Sequence, residues 1–192
     1  MRILAVSDEE SRTLLAKARS GALPPIDLLV SCGDLHPSYL EELTDAVNAL
    51  LVYVRGNHTY GEMTCGICIE GKVFCYQGIR IAGLGGSLRY RSGENQYSQK
   101  EMTRRKRRLI PRILFHRGLD ILGTHAPARG WGDLEDLPHQ GFDAFNELME
   151  QFRPRYLLHG HIHMNYGRIR RRLEHPSGTA VINVCGYQII EL

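Results

Sequence analysis

The sequence predicts an α/β protein built as a two-sheet sandwich, and three observations predict it. Short apolar runs alternate with helix-like stretches over the first 55 residues. Glycine-punctuated strands fill much of the remainder, with mainly parallel strands expected early and antiparallel strands late. Five separate apolar strands each end in Asp, Asn or His. No internal repeat or linker divides the chain, and 192 residues suit one domain, 1–192, with its own core.

The runs "RILAV", "IDLLVSC" and "LLVYVR" read as strands buried on both faces, because their apolar residues are nearly continuous. Helices are expected at 9–20 and 37–49 between them. That βαβαβ rhythm predicts parallel strands joined by right-handed crossovers. From 66 to 86, turns at Gly71 and Gly78 suggest consecutive antiparallel strands. A loop at 87–98 leads to a charged helix at 98–116, the strand "LDILGTH" and a loop at 126–138. A helix at 139–152 and the strands "YLLHG", "YGRIRR", "TAVINV" and "YQIIEL" complete the order.

Composition excludes some functions. Hydrophobic residues make up 43% and charged residues 23%, ordinary for a globular protein, and a net charge of +3 does not by itself imply nucleic acid. No apolar run approaches a membrane span, and the N-terminus lacks a secretory apolar region. Five cysteines form no dense framework, so reduced thiols in a cytoplasmic protein are expected, and the lone "CGIC" lacks a partner half-site for zinc.

The strand ends carry the chemistry. They deliver Asp8, Asp34, Asn57 with His58, His125, and His159, His161 and His163. Taken singly, Asp34 reads as a helix cap, Asn57 as a turn residue and His125 as a satisfied polar group. His161 and His163 could lie on one face of an exposed strand. Taken together they change meaning, because the carboxyl ends of strands border the crevice of an α/β sheet. Carboxylates, an amide oxygen and imidazoles suit Mn²⁺, Fe or Zn²⁺ rather than Ca²⁺ or a thiolate site.

The blocks "GD" (33–34), "GNH" (56–58), "GTH" (123–125) and "GHIH" (160–163) resemble the signature of the calcineurin-like metallophosphoesterase superfamily, in its order and over nearly the whole chain. "GIRIAGLGGS" and "THAPARGWGD" are similar to connecting segments of its small bacterial-type members. The resemblance implies a four-layer αββα sandwich of two mixed sheets and two divalent metal ions, Mn ahead of Fe or Zn. Asp8 and His163 would bind the first ion, Asp34 would bridge, and Asn57, His125 and His161 would complete the second. His58 would protonate the leaving group as metal-activated water hydrolyses a phosphomonoester or phosphodiester. Arg89, which follows "GLGGS", and Arg129, in the loop after His125, are candidate substrate contacts. His139 and Asp136 share the region of Arg129, and His159 would support the site without binding metal.

Two positions depart from the superfamily pattern. Thr59 stands where an acid is usual, and Glu10 stands where histidine is usual. Glu10 either ligates the first ion or pairs with Ser7 in an S-x-x-E capping box that opens a helix. Glu9 would be a solvated first-turn residue. The expected partner is a small phosphate ester such as a nucleotide, with no membrane. Two alternatives stand beside it: a scaffold on the same fold, motivated by Glu10, and a nuclease, motivated by the basic runs at 103–108 and 168–172. On a strand, Arg168, Arg170 and Arg172 would share one side.

Overall fold

The computed structural model describes residues 1–58 and 60–192, so Thr59 lies outside the described residues. The chain opens with β1 (Arg2–Ser7), α1 (Arg12–Arg19), β2 (Leu28–Ser31), α2 (Pro37–Val47), β3 (Leu50–Tyr53) and β4 (Ile67–Cys68). It continues through β5 (Val73–Tyr76), β6 (Ile79–Leu84), β7 (Ser87–Leu88), β8 (Gln96–Tyr97) and α3 (Gln99–Phe115). After β9 (Ile121–Thr124) come a 3₁₀ turn at Leu137–His139, α4 (Asp143–Phe152) and β10 (Tyr156–His159). Strands β11 (Arg172–Glu174), β12 (Ala180–Asn183) and β13 (Gly186–Glu191) close the fold.

Two sheets face each other, ordered β13-β1-β2-β3-β4 and β11-β12-β10-β9-β6-β5. Alternation along each strand divides the core into layers. Ile3 and Ala5 of β1, with Val30 and Val52, meet Ile81, Ile121, Leu158 and Ile182 of the other sheet. Leu4 and Val6, on the opposite face of β1, pack with Leu29 and Leu51 against Leu14 of α1 and Leu40 and Leu43 of α2. Leu84, Leu122 and Leu157 pack against Leu109 and Ile113 of α3 and Phe145 and Leu148 of α4. The result is the four-layer αββα sandwich.

The βαβαβ start is parallel as expected, with β1–β2 and β2–β3 in parallel register. The second half is more parallel than the sequence suggested. Strands β6, β9, β10 and β12 pair in parallel, while β5–β6, β11–β12 and β1–β13 are antiparallel. Helices α3 and α4 are the crossovers that allow this, and β4 leaves the glycine-rich stretch to pair with β3. The segment "YGRIRR" is not a strand; the strand begins only at Arg172. The proposed one-sided stripe of Arg168, Arg170 and Arg172 therefore does not form. The capping box at Ser7 is also absent: α1 is capped by Ser11, whose side chain accepts from the Leu14 N–H at 3.1 Å.

Asp120, just before β9, ties that strand to β6. It accepts from the Arg80 backbone N–H at 2.8 Å and from two guanidinium nitrogens at 2.7 and 2.8 Å. These bonds hold its carboxyl below the ordinary range, against the opposing effect of burial. A depressed folded-state pKa means stability that is present at neutral pH and lost as pH falls through it. Asp120→Asn is expected to cost about 1–3 kcal/mol at pH 7. Urea titrations should show that deficit shrinking below about pH 4, where the aspartate of the unfolded chain takes up a proton before the folded one does.

Candidate metal centre

The strand ends converge on the seam between the sheets. After β1, the Glu9 N–H donates to the Ser7 carbonyl at 2.7 Å, closing a γ-turn with Asp8 at its centre, φ 62°. After β10, the Ile162 N–H donates to the Gly160 carbonyl at 2.8 Å around His161, φ 67°. The two turns join where the His161 N–H donates to Asp8 Oδ2 at 2.8 Å. Asp34, after β2, is a third non-glycine residue at positive φ, 56°. Such conformations cost roughly 1–3 kcal/mol each and gather where geometry serves function.

Asp34 is held from both sides. Its Oδ1 accepts the His58 backbone N–H at 3.0 Å, and its Oδ2 lies 3.2 Å from His125 Nε2 and 4.0 Å from His58 Nε2. Asn57 is buried, with its Nδ2 facing the Tyr90 hydroxyl at 3.5 Å and its Oδ1 3.0 Å from His125 Nε2. The His58 ring is half exposed at the mouth. Ligand atoms of Asp8, Asp34 and His125 all lie within 4.8 Å of one another.

The donor set fits a cation. His125 Nδ1 donates to the Cys32 carbonyl at 2.8 Å, which in a neutral ring leaves Nε2 as a lone pair. That nitrogen nevertheless faces two acceptor oxygens, from Asn57 and Asp34. Lone pairs aimed at one another need positive charge between them. In the protein alone a proton supplies it: burial lowers the His125 pKa, but the Asp34 and Asp8 carboxylates outweigh burial and bring it to about 9. Asp8 is raised, by burial first and by Asp34 as well. Asp34 is lowered, because His125 and His58 overcome its burial. His161 donates Nε2–H to the Pro138 carbonyl at 2.8 Å, which leaves Nδ1 as its lone pair, and burial brings its pKa down to about 3. A divalent ion relieves this arrangement as a proton does, with more charge.

His163 faces Glu9. Its Nδ1 is 3.0 Å from Glu9 Oε1, and Glu9, His163 and Cys185 form a second group of potential ligand atoms within 4.8 Å. Glu9 is therefore not merely solvated. Glu10 is exposed and belongs to neither group among the described residues, since the γ-turn at Asp8 brings Glu9 towards His163. The capping reading of Glu10 does not hold, because Ser11 caps α1, while Glu10 borders the same surface cavity as Glu9 and Cys185. His159 is buried beside the site, its Nδ1 donating to the Gly160 carbonyl at 3.0 Å.

The two candidate substrate arginines have partners of their own or face solvent. Arg89 donates to the Gln96 carbonyl at 3.2 Å and to Glu101 at 3.0 Å, at the start of α3. The Arg129 side chain is exposed, while its carbonyl accepts from Asn146. Asp136 and His139 pair at 2.5 Å, and the His139 ring stands 5.3 Å from that of His161. In the 103–108 run, Lys106 is buried against Glu147, and Arg105 pairs with Glu70, so part of that charge is structural. Sequence reasoning missed Glu9, Tyr90, Pro138 and Cys185. Only Cys185 had a usable signal, its place just past the end of β12.

Two glycines make room. A β-carbon at Gly56 would overlap the Asp34 carboxylate, and one at Gly160 would overlap Ser7 and Asp8. Gly56→Ala is expected to displace Asp34 and weaken metal binding by about 10- to 100-fold, as loss of a ligand's support does. Equilibrium dialysis with Mn²⁺ checks this.

A family model described as calcineurin-like phosphoesterase matches residues 1–165. The solved structure of TT1561 of Thermus thermophilus is similar at TM-score 0.63 and 16% identity, covering 96% of this chain and 89% of that one. A single-mutant Vps29 from Entamoeba histolytica aligns at TM-score 0.51 and 13% identity, covering 100% of this chain and 86% of that one. NAD nucleotidase (NadN) of Haemophilus influenzae aligns at TM-score 0.56 and 13% identity, covering 96% of this chain and 50% of that one. At these identities the likeness is one of fold. No curated protein matches the chain.

Proposed function

The chain belongs to the calcineurin-like phosphoesterase family, and from that premise we propose that it hydrolyses the phosphate ester of a small molecule, using two divalent ions held at the seam between its sheets. One observation carries the reading: Asp8, Asp34, Asn57 and His125 turn their acceptor atoms toward a common point, with the His58 ring beside it. Asp8 and His163 would hold the first ion, Asp34 both, and Asn57, His125 and His161 the second. Ions bound there would neutralise the phosphoryl oxygens and acidify a water.

The protein's own groups do the rest. Asp34 is fixed through the His58 backbone, so the carboxylate and the imidazole keep a set relation. As the ester P–O bond breaks, His58 donates a proton to the departing oxygen, while the oxygen of water bonds to phosphorus. Water returns the proton to His58 in the next cycle. No covalent intermediate with the protein is needed.

A cavity of about 810 Å³ beside Asp34 and His58, bordered by Tyr53, Arg55 and Tyr60, would take the leaving group. A nucleotide suits it, because the half-exposed Tyr60 offers a base a ring to stack on. That class agrees with the name of the NAD nucleotidase neighbour. No helix of the described residues is long and apolar enough to cross a membrane. All five cysteines are free, which fits a reducing cytoplasm.

Elemental analysis of the purified protein, followed by assay on one chromogenic monoester and one diester in Mn²⁺, tests the reading. Bound divalent metal with turnover of either ester is expected. Metal-loaded protein inert to both would overturn it.

A further inference from the structure

Beside the centre described above lies a second constellation. Cys185 follows β12 as Asp8 follows β1, and the bridge between Ser7 and Cys185 sets the two strand ends side by side. The cysteine's backbone is clamped: its N–H donates to Asn183 Oδ1 and its carbonyl accepts from Arg171 Nη1, both at 2.9 Å. The thiol is thereby carried to the Glu9 carboxylate and the His163 imidazole, with one ligand atom from each of the three inside a 4.8 Å circle. A surface cavity of about 620 Å³ opens onto Glu9 and Cys185, bordered by Met164 and Arg171, and gives an ion a way in.

We propose that Glu9, His163 and Cys185 form a thiolate-containing site for a divalent metal of the zinc type, one pole of the two-ion centre. The inference rests on the reading of that centre and changes its first pole. Glu9 and Cys185 take the place left by Glu10. One sulfur, one nitrogen and one carboxylate oxygen are a ligand set that zinc accepts in tetrahedral geometry with a fourth position open to water or substrate. A thiolate turns selectivity away from Mn²⁺ and toward Zn²⁺ or Co²⁺. The thiol proton leaves to solvent as the metal–sulfur bond forms.

Cobalt reports this directly, since a thiolate bound to Co²⁺ gives near-ultraviolet charge-transfer absorption that oxygen and nitrogen ligands do not. Titration of the full chain with Co²⁺ is expected to develop that band in the wild type and to lack it in Cys185→Ala. Glu9→Gln, at an exposed position that folding tolerates, is expected to keep the band but weaken Co²⁺ binding at this pole by at least about 10-fold. A wild type without the band, or a band that survives in Cys185→Ala, would overturn the proposal. Esterase turnover without the band would sink this site and leave the phosphoesterase reading standing. The band without turnover would do the reverse.

Discussion

Asp34→Asn is expected to lower kcat/KM toward a phosphate monoester by at least about 10²- to 10³-fold, the scale of removing one preorganised electrostatic group from a reacting centre. Asparagine keeps the shape and can still accept the His58 N–H, so the fold should survive while the charge is lost. Bound metal is expected to fall along with activity, because Asp34 is the carboxylate assigned to both ions. Its metal-free form offers a separate check. Burial already disfavours the His125 imidazolium, and the Asp34 carboxylate is the first of the charges that overcome it. Without that charge the His125 pKa should drop from about 9, which imidazole NMR titration reads. A variant with full metal content and wild-type turnover would remove Asp34 from the mechanism.

His58→Gln is expected to separate chemistry from metal binding. The backbone N–H that supports Asp34 remains, so metal content should stay near that of the wild type. Turnover of an alkyl phosphate should fall by about 10²- to 10⁴-fold, the usual contribution of a positioned general acid. A nitrophenyl ester should lose far less, because nitrophenolate departs without a proton. Equal losses on both substrates would mean that His58 binds phosphate rather than protonates the leaving oxygen. A protein that served only as a scaffold would show neither effect.

The outer frame of the fold was legible because its signals are local. Continuous apolar runs marked β1, β2 and β3, and the helical stretches between them required parallel pairing. Glycine turns between 66 and 86 suggested a chain of hairpins, yet only β5 and β6 pair that way. Sheet partnership is settled by distant contacts, such as β6 with β9, which no turn residue announces. The strand-end rule found Asp8, Asp34, Asn57 and His125, which the structure does bring together. It could not say which of Glu9 and Glu10 turns inward, because that depends on one left-handed residue, Asp8, with no glycine to mark it. Cys185 lies within reach of the same rule applied to "TAVINV", but a lone cysteine in a sequence carries little weight.

The hydrogen bond from the His161 N–H to Asp8 Oδ2 crosses between the sheets, beside the His125 Nδ1–H bond to the Cys32 carbonyl and above the apolar layer that fills the rest of the seam. Both sides of that bond are backbone turns wound the unfavourable way, at Asp8 and His161, so the two strand ends are a spring held shut by these few polar contacts. Ions at the centre would latch it, and loading would be felt as cohesion of the whole sandwich. Under mass action, ligand at about 100 times its dissociation constant adds roughly 2.7 kcal/mol to the folded state. Chelation should therefore loosen the chain as well as silence it, with β1 and β10 the first strands to exchange their amide protons more freely.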